Sequence, residues 1–117
     1  MNLKSKLVSQ QADNCLIIQT PEYVNKESGE SIVSEFNKHF NQGVKKIVID
    51  MADSSVVNSI GISFLIEIIE NLNEADGKMI FCNLDPSIEK TLNIMGLFNF
   101  ANKAESVENA VDLLNEK

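Results

Sequence analysis

The tetrapeptide Asn58-Ser59-Ile60-Gly61 offers a hydroxyl where a phosphoryl group would be welcome. Before it come a β-branched run (Ile47, Val48, Ile49), an acidic loop and a short apolar piece, Val56-Val57. After it comes a long segment with helical apolar periodicity. That order places Ser59 at or next to a helix N-cap, exposed and facing free backbone N–H groups. A phosphate there is attracted by the positive end of the helix. The plain alternative is that Ser59 only caps the helix, because Ser is among the commonest cap residues. Gly61 costs the helix up to about 1 kcal/mol against Ala. Two reasons for it are open: it leaves the backbone uncovered for a partner near Ser59, or a loop of the same domain lies over it.

Other chemistry finds less support. Asp50, Asp53 and Asp76 invite comparison with the phosphorylatable Asp and Mg²⁺ site of receiver domains. The first strands, however, end in QQADN and IIQTPEY, without the acidic pair such a site needs, so these are expected to be solvated loop carboxylates. No metal is expected. His39 is the only histidine and no Ser or Cys constellation surrounds it, so a catalytic triad has no support. Cys15 and Cys82 each lie inside an expected strand without C-x-x-C spacing, and are read as buried free thiols.

These residues require a frame to position them. Leu3–Gln10 and Cys15–Gln19 read as two strands joined by a hairpin turn at Ala12-Asp13-Asn14, and Pro21 begins a loop over residues 20–25. A helix is expected from about Glu27 to Asn41, with Ile32, Val33, Phe36 and Phe40 on one face and Gly43 as its stop. Val44–Asp50 reads as a central strand. The helix after Ser59 runs to about Ala75, with Ile62, Leu65, Ile66, Ile69 and Leu72 toward the core and Glu67, Glu70 and Glu74 opposite. Phe64 and Ile68 widen its apolar arc, either beneath a fifth strand or loop or as a partner surface beside Ser59. Lys78–Asn83 is a further strand. Asp85-Pro86 then starts a helix holding Ile88, Leu92 and Met95, which Gly96 closes. Leu97–Ala101 reads as a short fifth strand, and Ser106 caps a last helix. The order β-β-α-β-α-β-α-(β)-α indicates an α/β domain.

The balance of 17 acidic against 10 basic residues, net −7, argues against nucleic-acid and anionic membrane partners and favours partners with basic patches. At 117 residues the whole chain, 1–117, is expected to be one domain with a single core. MNLKSKLVSQQ lacks the apolar stretch of a signal peptide, and no apolar run reaches membrane-spanning length, so a cytoplasmic location is expected.

The stretch KKIVIDMADSSVVNSIGISFL, Lys45–Leu65, resembles the signature of STAS domains of the anti-sigma factor antagonist family, in which a strand and loop lead to Asp-Ser-Ser/Thr-Gly-Leu and a helix. The element order is also theirs, and PEYVNKESGESI and IFCNLDPSIEKTLNIMGL are further similar segments, so the resemblance spans nearly the whole chain. It departs at two positions: Asn58 stands where the family usually has Asp, and Ile60 where it has Ser or Thr. The resemblance implies a single STAS-like α/β domain, with a mixed four- to five-stranded sheet packed with about four helices. It implies a protein that is not an enzyme and needs no cofactor. Its unphosphorylated form would bind an anti-sigma factor Ser/Thr protein kinase and release a sigma factor. Phosphorylation of Ser59 would switch it off, and a PP2C-type phosphatase would restore it. The implied partner surface takes in Tyr23 and Asn25, then Asn58, Ile60, Gly61, Ile62, Ser63 and Phe64, with Asn83 and Asp85. Two other readings stand beside this one: a STAS scaffold subunit with Ser59 unmodified, and a small phosphocarrier or receiver-like domain.

Overall fold

The first hairpin is set by two adjacent residues in the left-handed region, Asp13 (φ 51°) and Asn14 (φ 68°). Asn and Asp tolerate that region better than other side chains, and a two-residue turn of this hand matches strand twist. The turn joins β1 (Val8–Ala12) to its antiparallel partner β2 (Cys15–Gln19). The chain is described by a computed structural model over residues 8–116. The expected first strand over Leu3–Gln10 therefore lies partly outside the described residues, and its described part runs on to Ala12.

The remaining elements are β3 (Tyr23–Val24), α1 (Lys26–Phe40), β4 (Lys46–Asp50), β5 (Val56–Val57), α2 (Ser59–Glu74), β6 (Lys78–Cys82), α3 (Pro86–Ile94), β7 (Asn102–Ala104) and α4 (Val107–Leu114). The main sheet has the order β1-β2-β4-β6-β7, parallel from β2 onward, and β3 and β5 form a separate parallel pair. A mixed five-stranded sheet with four α-helices is the architecture expected from the sequence.

Side chains alternate across a strand, and here both sheet faces are covered, which is why the central strands are continuously apolar. Leu16, Ile18, Ile47, Ile49, Met79 and Phe81 meet Ile32, Phe36, Leu65, Ile69, Leu72, Ile88 and Leu92 from α1, α2 and α3. On the other face Cys15, Ile17, Val48, Ile80 and Cys82 pack against Ala110, Val111 and Leu114 of α4. Both thiols are thus free and buried in the α4 layer.

Three expectations are corrected. Leu97–Ala101 is not a strand: Leu97–Asn99 forms a 3₁₀ turn after Gly96, whose φ is 84°, and the last strand begins only at Asn102. Leu97 is buried and Phe98 packs its ring edge-on against Phe81, while Asn99 and Phe100 turn outward, so the apolar composition marks a packed turn rather than a pleat. Residues 20–25 hold a two-residue strand, too short for any periodic signal. Finally, Ile68 is fully buried and Ile66 only half-buried, reversing their expected roles. The cause is α1, which lies along α2: a Cβ on Gly29 would run into the Phe64 ring. A helix therefore covers this flank, in place of the expected strand, loop or partner.

Candidate functional site

Asn58 is the N-cap of α2, with extended backbone (φ −108°, ψ 171°) and its Oδ1 accepting from Gly61 N at 2.8 Å. Ser59 is consequently the first helical residue, exposed, and its hydroxyl is not the cap. Of the two expected placements, at the cap or next to it, the second is the one found. The first turn of α2 contains no acidic residue, so nothing on the helix itself offsets the positive end beside this hydroxyl.

Two contacts from β3 hold that end. Asn58 N donates to Val24 O at 3.0 Å, and Asn58 Nδ2 donates to the Tyr23 hydroxyl at 3.4 Å. Gly61 explains the close approach, because a Cβ there would overlap the Val24 carbonyl. Of the two reasons open for this glycine, the structure shows the packing one. The β3–β5 pair is fixed in turn by buried hydroxyls. Ser54 Oγ donates to Pro21 O at 2.5 Å, and with its one proton so used, Thr20 Oγ1 donates to Ser54 Oγ at 2.6 Å. Thr20 and Ser54 are 1% and 4% exposed, so both hydroxyls would be costly to leave unpaired. They tie the end of β2 to the loop after β4, and so aim β5 at Asn58.

Tyr23 lies opposite Val56 in the parallel pair, and the two are 46% and 48% exposed. With Ile60, 50% exposed one residue beyond Ser59, they provide large exposed apolar side chains at this end of α2. Single exposed apolar residues are ordinary, whereas several near one exposed hydroxyl give the surface an apolar centre with a polar neighbour. Val56, Thr20 and Ser54 were not among the residues expected here. Val56-Val57 is visible in sequence as an apolar pair, whereas Thr20 and Ser54 meet only through a contact spanning 34 positions and leave no local signal.

The other expected residues divide. Asn25 caps α1, accepting from Ser28 N at 3.1 Å while Ser28 Oγ accepts from Asn25 N at 2.8 Å. Ser28 Oγ lies 2.8 Å from Tyr23 O, which draws Asn25 and Tyr23 together. Ser63 is exposed, its hydroxyl donating to Ile60 O at 2.6 Å. Phe64 is half-buried against α1, and Gly61 and Ile62 are buried. Ile62, 3% exposed, belongs to the core and not to an accessible surface. Asn83 takes the left-handed conformation (φ 55°) and donates to Asp50 Oδ1 at 2.9 Å. Asp85 caps α3, accepting from Ser87 N at 2.8 Å, and its bonds from Ser87 hold its carboxyl below the usual range. These two stand at the carboxyl end of β6, and their bonds run to Asp50 and Ser87 rather than to the Ser59 group.

The remaining titratable groups organise structure. Asp50 departs from the expected solvated carboxylate: it is half-buried and also accepts from Ala52 N at 3.1 Å. Asp53 accepts from Gln19 Nε2 at 2.7 Å. His39 pairs with Glu35 at 3.0 Å on α1, and Ser9 Oγ donates to the same Glu35 oxygen at 2.5 Å, linking β1 to α1. The Cys82 thiol is pushed up to about 12, first by burial and then by Asp50, and burial also raises Cys15, so neither is poised as a thiolate nucleophile. Among the described residues no group of three or more His, Cys, Asp and Glu could hold a metal ion. No helix among them is long and apolar enough to cross a membrane.

The family model for the STAS domain matches residues 6–110. A Bordetella bronchiseptica protein named as a candidate anti-sigma factor antagonist, BtrV, is 24% identical over 104 residues, covering 86% of this chain and 90% of that protein. A crystal structure of a candidate anti-sigma factor antagonist from Thermotoga maritima superposes with a TM-score of 0.84 at 16% identity, covering 94% of this chain and 95% of the other. The Bacillus anti-sigma factor antagonist SpoIIAA matches at 19% identity in both its states. Its unphosphorylated form gives a TM-score of 0.79 over 92% of this chain and 95% of that one. Its phosphorylated form gives 0.76 over 94% and 100%.

Proposed function

The chain belongs to the STAS domain family, and on that premise we propose that it is an anti-sigma factor antagonist whose switch is Ser59. The unphosphorylated protein binds an anti-sigma factor that is a Ser/Thr protein kinase, so that a sigma factor is released. The kinase phosphorylates Ser59, and a PP2C-type phosphatase reverses the step. The protein acts by binding in the cytoplasm and catalyses no reaction itself.

One observation carries this reading: Ser59 is an exposed hydroxyl on the first turn of α2, freed from capping by Asn58 and neighboured by Tyr23, Val56 and Ile60. A phosphoryl group adds about −1.5 to −2 charges at neutral pH. At a helix N-terminus that charge is tolerated, so the fold survives modification. Inactivation then comes from charge and bulk at a surface the partner must desolvate. That SpoIIAA has been solved in a phosphorylated form on this same fold supports a switch without unfolding.

Incubation with the kinase and ATP, followed by mass-spectrometric mapping, is expected to place the phosphate on Ser59. Ser54 is a poor rival because its hydroxyl is buried and bonded, and Ser63 donates within the helix. A phosphate on Ser54, Ser55 or Ser63 would overturn the assignment. Labelling by a small phosphodonor without kinase would favour the phosphocarrier reading instead.

A further inference from the structure

A second apolar surface lies at the other end of α2. A cleft of about 290 Å³ opens between the later turns of that helix and the 3₁₀ turn, walled by Ile66, Ile69, Met95, Leu97 and Phe100. Phe100 and Met95 are 68% and 49% exposed at its mouth. Ile66 is seven residues past Ser59, which puts the cleft about 10 Å or more along the helix from the phosphoacceptor.

Glu70 is part of the lining, and Glu67 and Glu74 stand one turn to either side of it at i−3 and i+4, all exposed. Like charges at these spacings weaken a helix. Among the described residues the ion pairs are His39–Glu35 and Lys103–Glu89, so none of the described cations pairs with this row. An apolar cleft bordered by an exposed acidic edge matches one kind of ligand: a helix with apolar residues on one face and Lys or Arg on the flank. A second copy of the chain fits poorly. It carries the same net −7, and a two-fold contact brings two such glutamate rows to one interface.

We infer that the α2–3₁₀ cleft is a second docking surface, for a basic amphipathic helix of a protein partner, usable independently of Ser59. The probe is a fluorescent synthetic helical peptide of about five turns, with Leu at i, i+3, i+4 and i+7 and Lys on the flanks. Its twin carries Gln in place of Lys. In anisotropy titrations the Lys peptide is expected to bind at least about tenfold more tightly than the twin. Phe100→Ala and Glu70→Lys are each expected to weaken it about tenfold, and Ser59→Asp to leave it unchanged. Both cleft positions are exposed, so the circular dichroism melt of Phe100→Ala should match the parent, and that of Glu70→Lys, which replaces like-charge neighbours by opposite ones, should lie at or slightly above it. Equal binding of the two peptides, or binding indifferent to Phe100→Ala and Glu70→Lys, would overturn the inference. So would sedimentation of the parent as a dimer that Phe100→Ala turns into a monomer. Because Ser59 takes no part, failure of the phosphorylation switch would show in kinase labelling and not in these titrations.

Discussion

At the residue scale the site turns on the division of labour between Asn58 and Ser59. Asn58 occupies the cap with an uncharged oxygen, which leaves the helix end positive and the neighbouring hydroxyl unused. Replacing it by the family's usual carboxylate, Asn58→Asp, should keep the cap and stabilise the unmodified domain by about 0.3–1 kcal/mol through the helix dipole. The same carboxylate would repel a phosphate one residue away. The variant is therefore expected to melt at or above the parent temperature, to be phosphorylated at a changed rate, and to lose its advantage once phosphorylated. Thermal melts of both forms with timed mass spectrometry check this, and identical rates and melts would show the charge to be irrelevant. Ser59 was legible in the sequence because a strand, a loop and an abrupt helical period surround it. Its apolar neighbour Val56 was not, since whether a two-residue strand turns a side chain outward depends on its pairing with Tyr23.

At the element scale, the β3–β5 pair is what aims α2. It connects to α1 through the Asn25 cap and to α2 through Val24 O, so one small sheet fixes the N-termini of two helices. Gly61→Ala tests this coupling by setting two magnitudes against each other. The helix gains up to about 1 kcal/mol from losing a glycine, while forcing a methyl into a packed backbone typically costs about 1–3 kcal/mol. The methyl would meet the Val24 carbonyl, which cannot swing aside as a side-chain tip could. A net loss of about 1–2 kcal/mol in urea unfolding is expected; a stabilised variant would mean that β3 yields freely. The long elements were legible for good physical reason: β2, β4 and β6 are buried on both faces, and α1 and α2 carry clear apolar stripes. The short ones were not. A strand of two or three residues has no period to detect, and the 3₁₀ turn at Leu97–Asn99 has the same apolar composition as a strand.

At the scale of the whole molecule, the domain places Ser59 at one end of α2 and keeps the edge strand β1 tied to the helical layer by Ser9, Glu35 and His39. The Ser9 hydroxyl, and after it the His39 bond, hold the Glu35 carboxyl below the usual carboxylate range. A carboxylate depressed in the folded state adds stability above its unfolded pKa, and that stability is lost as pH falls through the folded value. Urea midpoints are thus expected to decline below about pH 4, and Glu35→Gln should flatten that decline while lowering stability at neutral pH. An unaltered acid limb in the variant would remove Glu35 from the account. Fold class was readable at this scale from the order of elements alone, but the tether was not, because Ser9 and Glu35 are 26 positions apart.

The central claim is that negative charge on Ser59 breaks a docked interface without disturbing the domain. Calorimetric titration of Ser59→Asp and Ser59→Ala with the anti-sigma factor kinase, alongside thermal melts, tests it most directly. An unpaired charge at a desolvated interface typically costs about 2–5 kcal/mol, which is a loss of affinity on the order of 30- to several-thousand-fold. Ser59→Asp is expected to lose binding to that extent with an unchanged or slightly raised melting temperature, and Ser59→Ala to bind like the parent while resisting inactivation by ATP. Undiminished binding by Ser59→Asp, or lost binding accompanied by a collapsed melting temperature, would contradict the claim.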